Sequence, residues 1–532
     1  MSTGSCHIMK NTKRSMRLDA LLLAVIVAVT CLSAPYAKAA GDYYADPFAA
    51  DLVVGYLADV GAAVNPIYCT SWDLVNMNQL VFESMVELDD DQKPAPMLAD
   101  NWTHDGRDWT FTIRSGIYFH NGVELTAWDV QNSFDAIMSA GESNAYSDRL
   151  RRLVSDLYAQ DDRTVVVSAK YTGYLTLYAM TFPIIQTDTI YDELPRGTGP
   201  YWYVSYEADS TLRLEYNPLW WKQQALPSSV LFRHYPDSAT ALQGLQTGEI
   251  EMYAARSPNA AVSRKLSNLT SLDFSTATYE MLVPNMAPTS FLSDLNVRRA
   301  IMYAIDRTEL AGSAYLDMAI QSEVPVQPGT WLYESQSALY SYSPERALKL
   351  LTDAGWSDLN GDLKLGRLRG MQVQDLSVTI LTYNESTNSI RENAARKIAE
   401  DLNKVGFKAT VSVVSRDTLR SRVSNGEYDI ALIGVNLSEV PILYNMIVSN
   451  GTLNYNNHSD ATMDAYAELT LEVEDEASMA QVYSQIQRRT VETLPFMGLL
   501  FRTGALLSTK SLGSFHGIRS LNVYRGLEYM KN

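Results

Sequence analysis

Residues 98–130 read LADNWTHDGRDWTFTIRSGIYFHNGVELTAWDV, and the elements inside that stretch decide the fold. Trp109–Ile113 (WTFTI) alternates apolar and polar side chains, the pattern of a strand with one buried face. Asn121-Gly122 supplies the residue pair that closes a tight hairpin turn. Thr126–Ala140 (TAWDVQNSFDAIMSA) then fits a helix, with Thr126 as N-cap and Asp129 at the third helical position. The same alternation continues on both sides. Asp51–Leu57, Thr164–Ser168 and Leu212–Tyr216 are expected strands, and Asn76–Met85 an expected helix. Downstream, Arg298–Ala311, Pro344–Ala354 and Ser389–Val405 read as helices, the second opening on Ser343 as cap and Pro344 at its first position. Leu376–Thr382, Thr410–Val414 and Tyr428–Gly434 are β-rich. Strands interleaved with helices over the whole length predict a mixed α/β protein of several lobes. The sequence contains no internal repeat, low-complexity tract or long Pro/Gly/Ser linker, so the lobes are expected to interleave.

The chain has 532 residues, 46% of them apolar, which is ample for more than one core. Its net charge of −18 excludes a nonspecific nucleic-acid binder. Residues 1–39 read as an export signal. Lys10, Lys13, Arg14 and Arg17 are followed by the apolar run Leu21–Ala34, and Ala37-Lys38-Ala39 offers small residues at −3 and −1 of a cleavage site. That run is shorter than the roughly 20 residues of a stable membrane span. A lipid on Cys31 is the competing reading, against which Ala28-Val29-Thr30 is a poor match to the lipobox. Cleavage after Ala39 would leave Cys69 as the only cysteine, so the exported chain would be held by its core and not by a disulfide. No second apolar run approaches 18 residues, and the exported chain is expected to be soluble.

Exported proteins are often hydrolases, so catalytic patterns deserve a direct search. There is no G-x-S-x-G elbow, no H-E-x-x-H, no Cys pair at zinc spacing and no G-x-x-x-x-G-K-[ST]. Gly197-Thr198-Gly199-Pro200 resembles a phosphate loop only superficially, because Pro200 removes a donor where a helix would begin. Cys69 has no His at a nucleophile spacing and reads as a buried or unpaired thiol. Asp358–Asp362 starts like a calcium loop but has Leu363 where a Gly is needed, so a polar turn is expected. His104, His120, His234, His458 and His516 show no i,i+4 pairing and fit structural or surface roles better than metal ligation. No catalytic residue, metal site or cofactor is expected.

The stretch 98–130 resembles the signature of the extracytoplasmic solute-binding proteins of peptide/nickel-type ABC importers. A Trp, a D-G turn, a T-F-x-[LI]-R strand, F-x-[DN]-G and L-T-A-x-D-V follow there in that order. Later landmarks keep the family's order: Gly197–Tyr201 (GTGPY), Asn217–Trp220 (NPLW), Val297–Asp306 (VRRAIMYAID), Ala354-Gly355-Trp356, Ile398–Gly406 (IAEDLNKVG), Tyr428-Asp429-Ile430 and Leu494-Pro495. The resemblance implies a bilobal periplasmic-binding-protein fold of type II, in its large three-domain variety, with the ligand cleft between the lobes. It divides the chain into a signal peptide (1–39), a first part of lobe one (40–86), an additional domain of lobe one (87–195), a second part of lobe one (196–284), lobe two (285–494) and a return to lobe one (495–532). It also implies a non-enzymatic receptor, monomeric by the family's default, that captures a peptide in the periplasmic space or at the outer face of the cytoplasmic membrane and hands it to ABC permease subunits.

Peptide-binding relatives pair the ligand's main chain with backbone from both lobes, which gives affinity with little sequence preference. By correspondence with their first contacting segment, Thr70, Ser71 and Trp72 would face the cleft, and Tyr146 falls where relatives place an aromatic over the ligand. Asn285, at the start of lobe two, joins the candidate set. After the Tyr428-Asp429 strand such relatives carry a Trp and then an Asp that pairs with the peptide's α-ammonium. Here Ile433 occupies the Trp position, Gly434 follows it, and Asn436 stands where the Asp is expected, with Glu439 nearby. An amide accepts a hydrogen bond without bringing a charge. Either Glu439 takes over, the ammonium is met elsewhere, or the ligand has no free amine. A non-peptide solute such as a sugar or metal chelate, a sensory receptor on the same fold, and an exported hydrolase remain the alternatives.

Overall fold

A computed structural model describes residues 50–531 apart from 142–143, 224, 257, 386–387 and 438–440. The expected export segment 1–39 and Glu439 lie outside the described residues.

Among the described residues the main sheet has 11 strands, one of them the short Ala319–Gln321 beside Met497–Ser508, and two long ones hold it together. Thr270–Pro284 and Met497–Ser508 run antiparallel to each other. On one side Met497–Ser508 pairs with Met252–Ala255, followed by Leu52–Tyr56, Ser229–His234, Thr211–Tyr216 and Tyr201–Glu207. On the other side Thr270–Pro284 pairs with Ile430–Asn436, followed by Ser377–Tyr383 and Lys408–Val414. The two long strands are therefore common to both halves of the sheet. Their register breaks between Ser275 and Tyr279, where Ala277 takes a φ of 60°. A left-handed residue in mid-strand bends the ladder at the point where one half gives way to the other. Met497–Ser508 is buried along its length except at Arg502, as expected of a central strand covered on both faces.

A separate antiparallel sheet is built from Ala99–Asp105, Asp108–Ile113, Thr164–Ala169 and Val154–Ala159. Asp108–Ile113 carries the alternating burial that its sequence predicts. The helix Ala127–Ser139 packs on this sheet, and the Asp129 carboxylate accepts from both the N–H (3.0 Å) and the hydroxyl (2.9 Å) of Thr126. The helices Pro344–Asp353 and Ile390–Lys404 and the strands of the second half also match the sequence reading to within a residue or two.

Two expected helices differ. In place of Asn76–Met85, the helix is Trp72–Asn78. The residues after it give their carbonyls to other segments: Val81 accepts from Gly199, Leu80 from Tyr201 and Glu83 from Ile184. That pairing needs very close approach. A Cβ on Gly197 would collide with the Val81 carbonyl oxygen, and one on Gly199 would lie 2.7 Å from the Val81 carbonyl carbon. The GTGPY glycines thus seat the loop against 80–83. In place of Arg298–Ala311 there are two helices, Leu295–Ala304 and Arg307–Ser313. Asp306 separates them by accepting from the Glu309 N–H (2.9 Å) as an N-cap.

The same loop buries a carboxylate. Glu83 accepts from the Thr198 hydroxyl (2.8 Å) and from the indoles of Trp220 (3.1 Å) and Trp221 (2.9 Å). Burial raises its pKa above 4.5, against the pull of Lys222 and these hydrogen bonds. Cys69 is also buried, its thiol pKa pushed up to about 12 by desolvation, and 358–363 forms a polar turn with Asp358 accepting backbone N–H groups.

Candidate functional site

Two adjoining cavities lie at the bend of the shared strands, and the first opens where the halves of the main sheet meet. The first, about 250 Å³, is lined from one side by Trp72 and Arg256, from the other by Ile390 and Asn436, and by Arg502 of the shared strand Met497–Ser508. The other shared strand contributes Thr276, Ala277 and Thr278 at its bend. The second, about 310 Å³, lies against Tyr383, Arg391, Arg416, Arg420, Ile433 and Gly434. Thr278, Asn436 and Arg502 belong to both linings, so the cavities share a wall.

Trp72 opens its short helix and leaves 48% of its surface exposed at the first cavity. The guanidinium of Arg256 sits 5.7 Å from the Trp72 ring centroid, and the neighbouring Asp73 holds it with a 2.6 Å ion pair. Asp73 also accepts from the Leu57 N–H at 2.7 Å, which ties the helix start to the first strand of the sheet.

Behind the second cavity is a buried charge cluster. Glu280, fully buried, is gripped by Arg391 in a two-point pair and by Arg502 at 2.6 Å. Glu385 meets Arg391 at 3.1 Å and Arg502 at 3.0 Å. Burial alone would raise the Glu280 pKa, but the two guanidiniums outweigh it and hold the carboxyl below its ordinary value. Two cations and two anions in this cluster cancel. Gly434 makes room for them: a Cβ there would lie 2.7 Å from Arg391 Nη2 and 2.9 Å from Glu280 Oε1.

The residues expected from sequence separate into three groups. Trp72 and Asn436 come together at the first cavity, and Ile433, Gly434 and Asn436 at the second. The Asn436 Oδ1 already accepts from the Thr278 hydroxyl at 2.9 Å. Thr70 is exposed in the preceding loop and Ser71 is buried at the N-cap position, both beside Trp72 but outside the cavity linings. Tyr146 and Asn285 lie elsewhere. Tyr146 is buried against a different cavity of about 210 Å³, with Arg149 over its ring at 5.0 Å. The Asn285 amide donates to the carbonyls of Gly426 (3.0 Å) and Tyr428 (2.7 Å), where it anchors a loop.

Arg256, Glu280, Arg391, Arg416, Arg420 and Arg502 were not among the expected residues. A signal for two of them is present in the sequence. Glu280 in TYEMLVP and Arg502 in GLLFRTGALL are single charges inside apolar strands, and a buried charge requires a partner.

Among the described residues no helix is long and apolar enough to cross a membrane, and no group of three or more His, Cys, Asp or Glu could hold a metal ion.

Residues 93–456 match the family described as bacterial extracellular solute-binding proteins, family 5 Middle. The oligopeptide-binding protein AppA of Bacillus subtilis (strain 168) is 23% identical over 492 residues, covering 87% of this chain and 88% of that protein. The dipeptide-binding protein of Escherichia coli (strain K12) is 25% identical over 378 residues, covering 64% and 67%. In three dimensions the chain is similar to a nickel ABC transporter structure from Bacillus halodurans, with a TM-score of 0.76 at 19% identity over 90% of this chain and 98% of that one. The fold is the α/β periplasmic-binding-protein fold of type II, and the chain belongs to the bacterial extracellular solute-binding proteins of family 5.

Proposed function

We propose that the protein is the extracytoplasmic substrate-binding component of an ABC importer, which captures a peptide by closing its lobes and delivers it to permease subunits at the membrane. The observation that carries this reading is the first cavity, whose wall is divided between the two halves of a sheet joined by two long strands. Bending at Ala277 would bring Trp72 and Arg256 toward Asn436. Ligand contacts made only in the closed form would then shift the open–closed equilibrium toward it. In this reading Trp72, Ile433, Gly434 and Asn436 meet the ligand, and Thr70 and Ser71 shape the approach. The lobe limits expected from the sequence, with lobe two over 285–494, serve as the working division. The chain acts as a monomeric receptor and not as an enzyme, and its leader directs it outside the cytoplasmic membrane.

Thermal unfolding of the purified protein against di- to pentapeptides, sugars and metal chelates tests the reading. A ligand at 100 times its Kd adds about 2.7 kcal/mol of stability, an easily measured shift. Stabilisation by peptides is the expected result. Stabilisation only by sugars or chelates would overturn the peptide assignment and leave the receptor role. Turnover of mixed peptides would overturn the receptor role itself.

A further inference from the structure

The charges around the two cavities do not balance. Arg256 is matched by Asp73, and Arg391 and Arg502 by Glu280 and Glu385. Arg416 and Arg420 line the second cavity as well, and among the described residues neither has a carboxylate partner. Both come from the helix Arg416–Ser424, one turn apart, so they face the same way. Arg416 is also held in place. Its guanidinium lies 4.9 Å from the Tyr383 ring centroid and donates to the Tyr383 hydroxyl at 3.4 Å, while Arg391 lies 4.4 Å from the same ring. Glu280 and Glu385 already balance Arg391, so the charge left over at this ring is that of Arg416. A stacked guanidinium with free N–H groups is preorganised for the planar geometry of a carboxylate. An acidic protein of net charge −18 thus presents two unmatched cations to one cavity.

The opposite charge is missing where an amine would need it. Asn436, on the wall shared by both cavities, is neutral, and its oxygen is occupied by Thr278. The site therefore offers surplus donors for an anion and, among the described residues, no unmatched carboxylate for a cation.

We propose that the second cavity is an anion-reading subsite in which Arg416 and Arg420 take a carboxylate of the ligand, so that the preferred solute is an acidic peptide. The inference rests on the peptide-receptor reading above for the class of solute, but not for the chemistry of the subsite. The carboxylate has two sources, an acidic side chain or the peptide's C-terminus, and the side chain is the favoured one because it lets the main chain occupy the first cavity.

The test is isothermal titration of the purified protein with Ala-Glu-Ala, Ala-Gln-Ala, Ala-Lys-Ala, the C-terminal amides of all three, glutarate and citrate. The Glu amide should bind about tenfold tighter than the Gln amide, the size of one charge-assisted contact. Arg416→Ala and Arg420→Ala should each shrink that ratio, and together they should erase it. Arg420→Glu should turn the preference toward the Lys peptide. Both arginines are exposed, so unliganded unfolding midpoints should fall only slightly, more for Arg416→Ala, which loses the Tyr383 contact, than for Arg420→Ala. A preference that follows the free C-terminus and disappears in the double variant keeps the subsite and assigns its carboxylate to the terminus. Binding of glutarate or citrate alone, lost in the double variant, keeps the subsite and sinks the peptide reading. Equal binding of the Glu and Gln peptides, a preference that survives the double variant, or no binding by any member of the set overturns the proposal.

Discussion

Glu83 and Glu280 are both buried, yet their pKa values move in opposite directions. Glu83 is surrounded by neutral donors, two indoles and a hydroxyl, and burial raises its pKa. Glu280 is surrounded by guanidiniums, and its pKa falls despite equal burial. Depth in the protein does not decide which way the pKa of a buried carboxyl moves; the charge of its partners does. The arrangement around Glu83 seats a loop that fastens one half of the main sheet. The ionised arrangement forms the back wall of a cavity. Its four charged groups come from three segments far apart in sequence, around Glu280, Glu385–Arg391 and Arg502, so it also locks the second half of the sheet to the shared strands.

The largest expected effect comes from removing the anion at the centre of the ionised cluster. Glu280→Gln should cost about 3–5 kcal/mol at neutral pH, because Arg391, only 2% exposed, loses its principal counter-charge. Chemical unfolding measures this directly, and a loss below about 1 kcal/mol would show that Glu385 suffices alone. Glu83→Gln should cost less, about 1–2 kcal/mol, since an amide oxygen still accepts from both indoles.

The two variants should also separate with pH. A raised folded pKa means that the stability Glu83 contributes is complete below its ordinary 4.5 and is lost as pH rises. A lowered folded pKa means that the contribution of Glu280 is present above 4.5 and is lost as pH falls. The penalty of Glu83→Gln should therefore shrink from pH 4 to pH 8, while that of Glu280→Gln should grow. Parallel slopes in unfolding midpoints over that range would break the comparison.

The smallest effect concerns a carboxylate that the protein lacks. Asn436→Asp should tighten binding of Ala-Ala-Ala over its N-acetyl form by about threefold to tenfold, a modest gain because the position is exposed. No change in that ratio would mean that the ligand's amine does not lie near Asn436.

Much of the scaffold was legible because local physics and final structure agree there. The alternation in WTFTI, the Thr126/Asp129 pairing and the Ser343-Pro344 start all act within a few residues of themselves. Reading failed where a distant segment won. The carbonyls of 80–83 are taken by residues 184, 199 and 201, so periodicity alone extended a helix that tertiary pairing ends at Asn78. Asp306 looked like one more position on a helical face and instead caps a second helix. The site was half legible for the same reason. The 433–436 strand kept its place by landmark order. The arginine-rich wall gathers residues 391, 416, 420 and 502, and only the lone charges in apolar strands announced it.

Trp72 gives the molecule an optical reporter of its own occupancy. Its indole stands half-exposed on the cavity rim beneath Arg256, whereas Trp109, Trp220 and Trp356 are buried in the cores. A ligand that displaces water from that ring moves its emission toward the blue and leaves the buried indoles unchanged. Trp128 is 46% exposed on a different helix, so the part of the difference spectrum that Trp72→Phe removes is the part that reads the filling of this cavity.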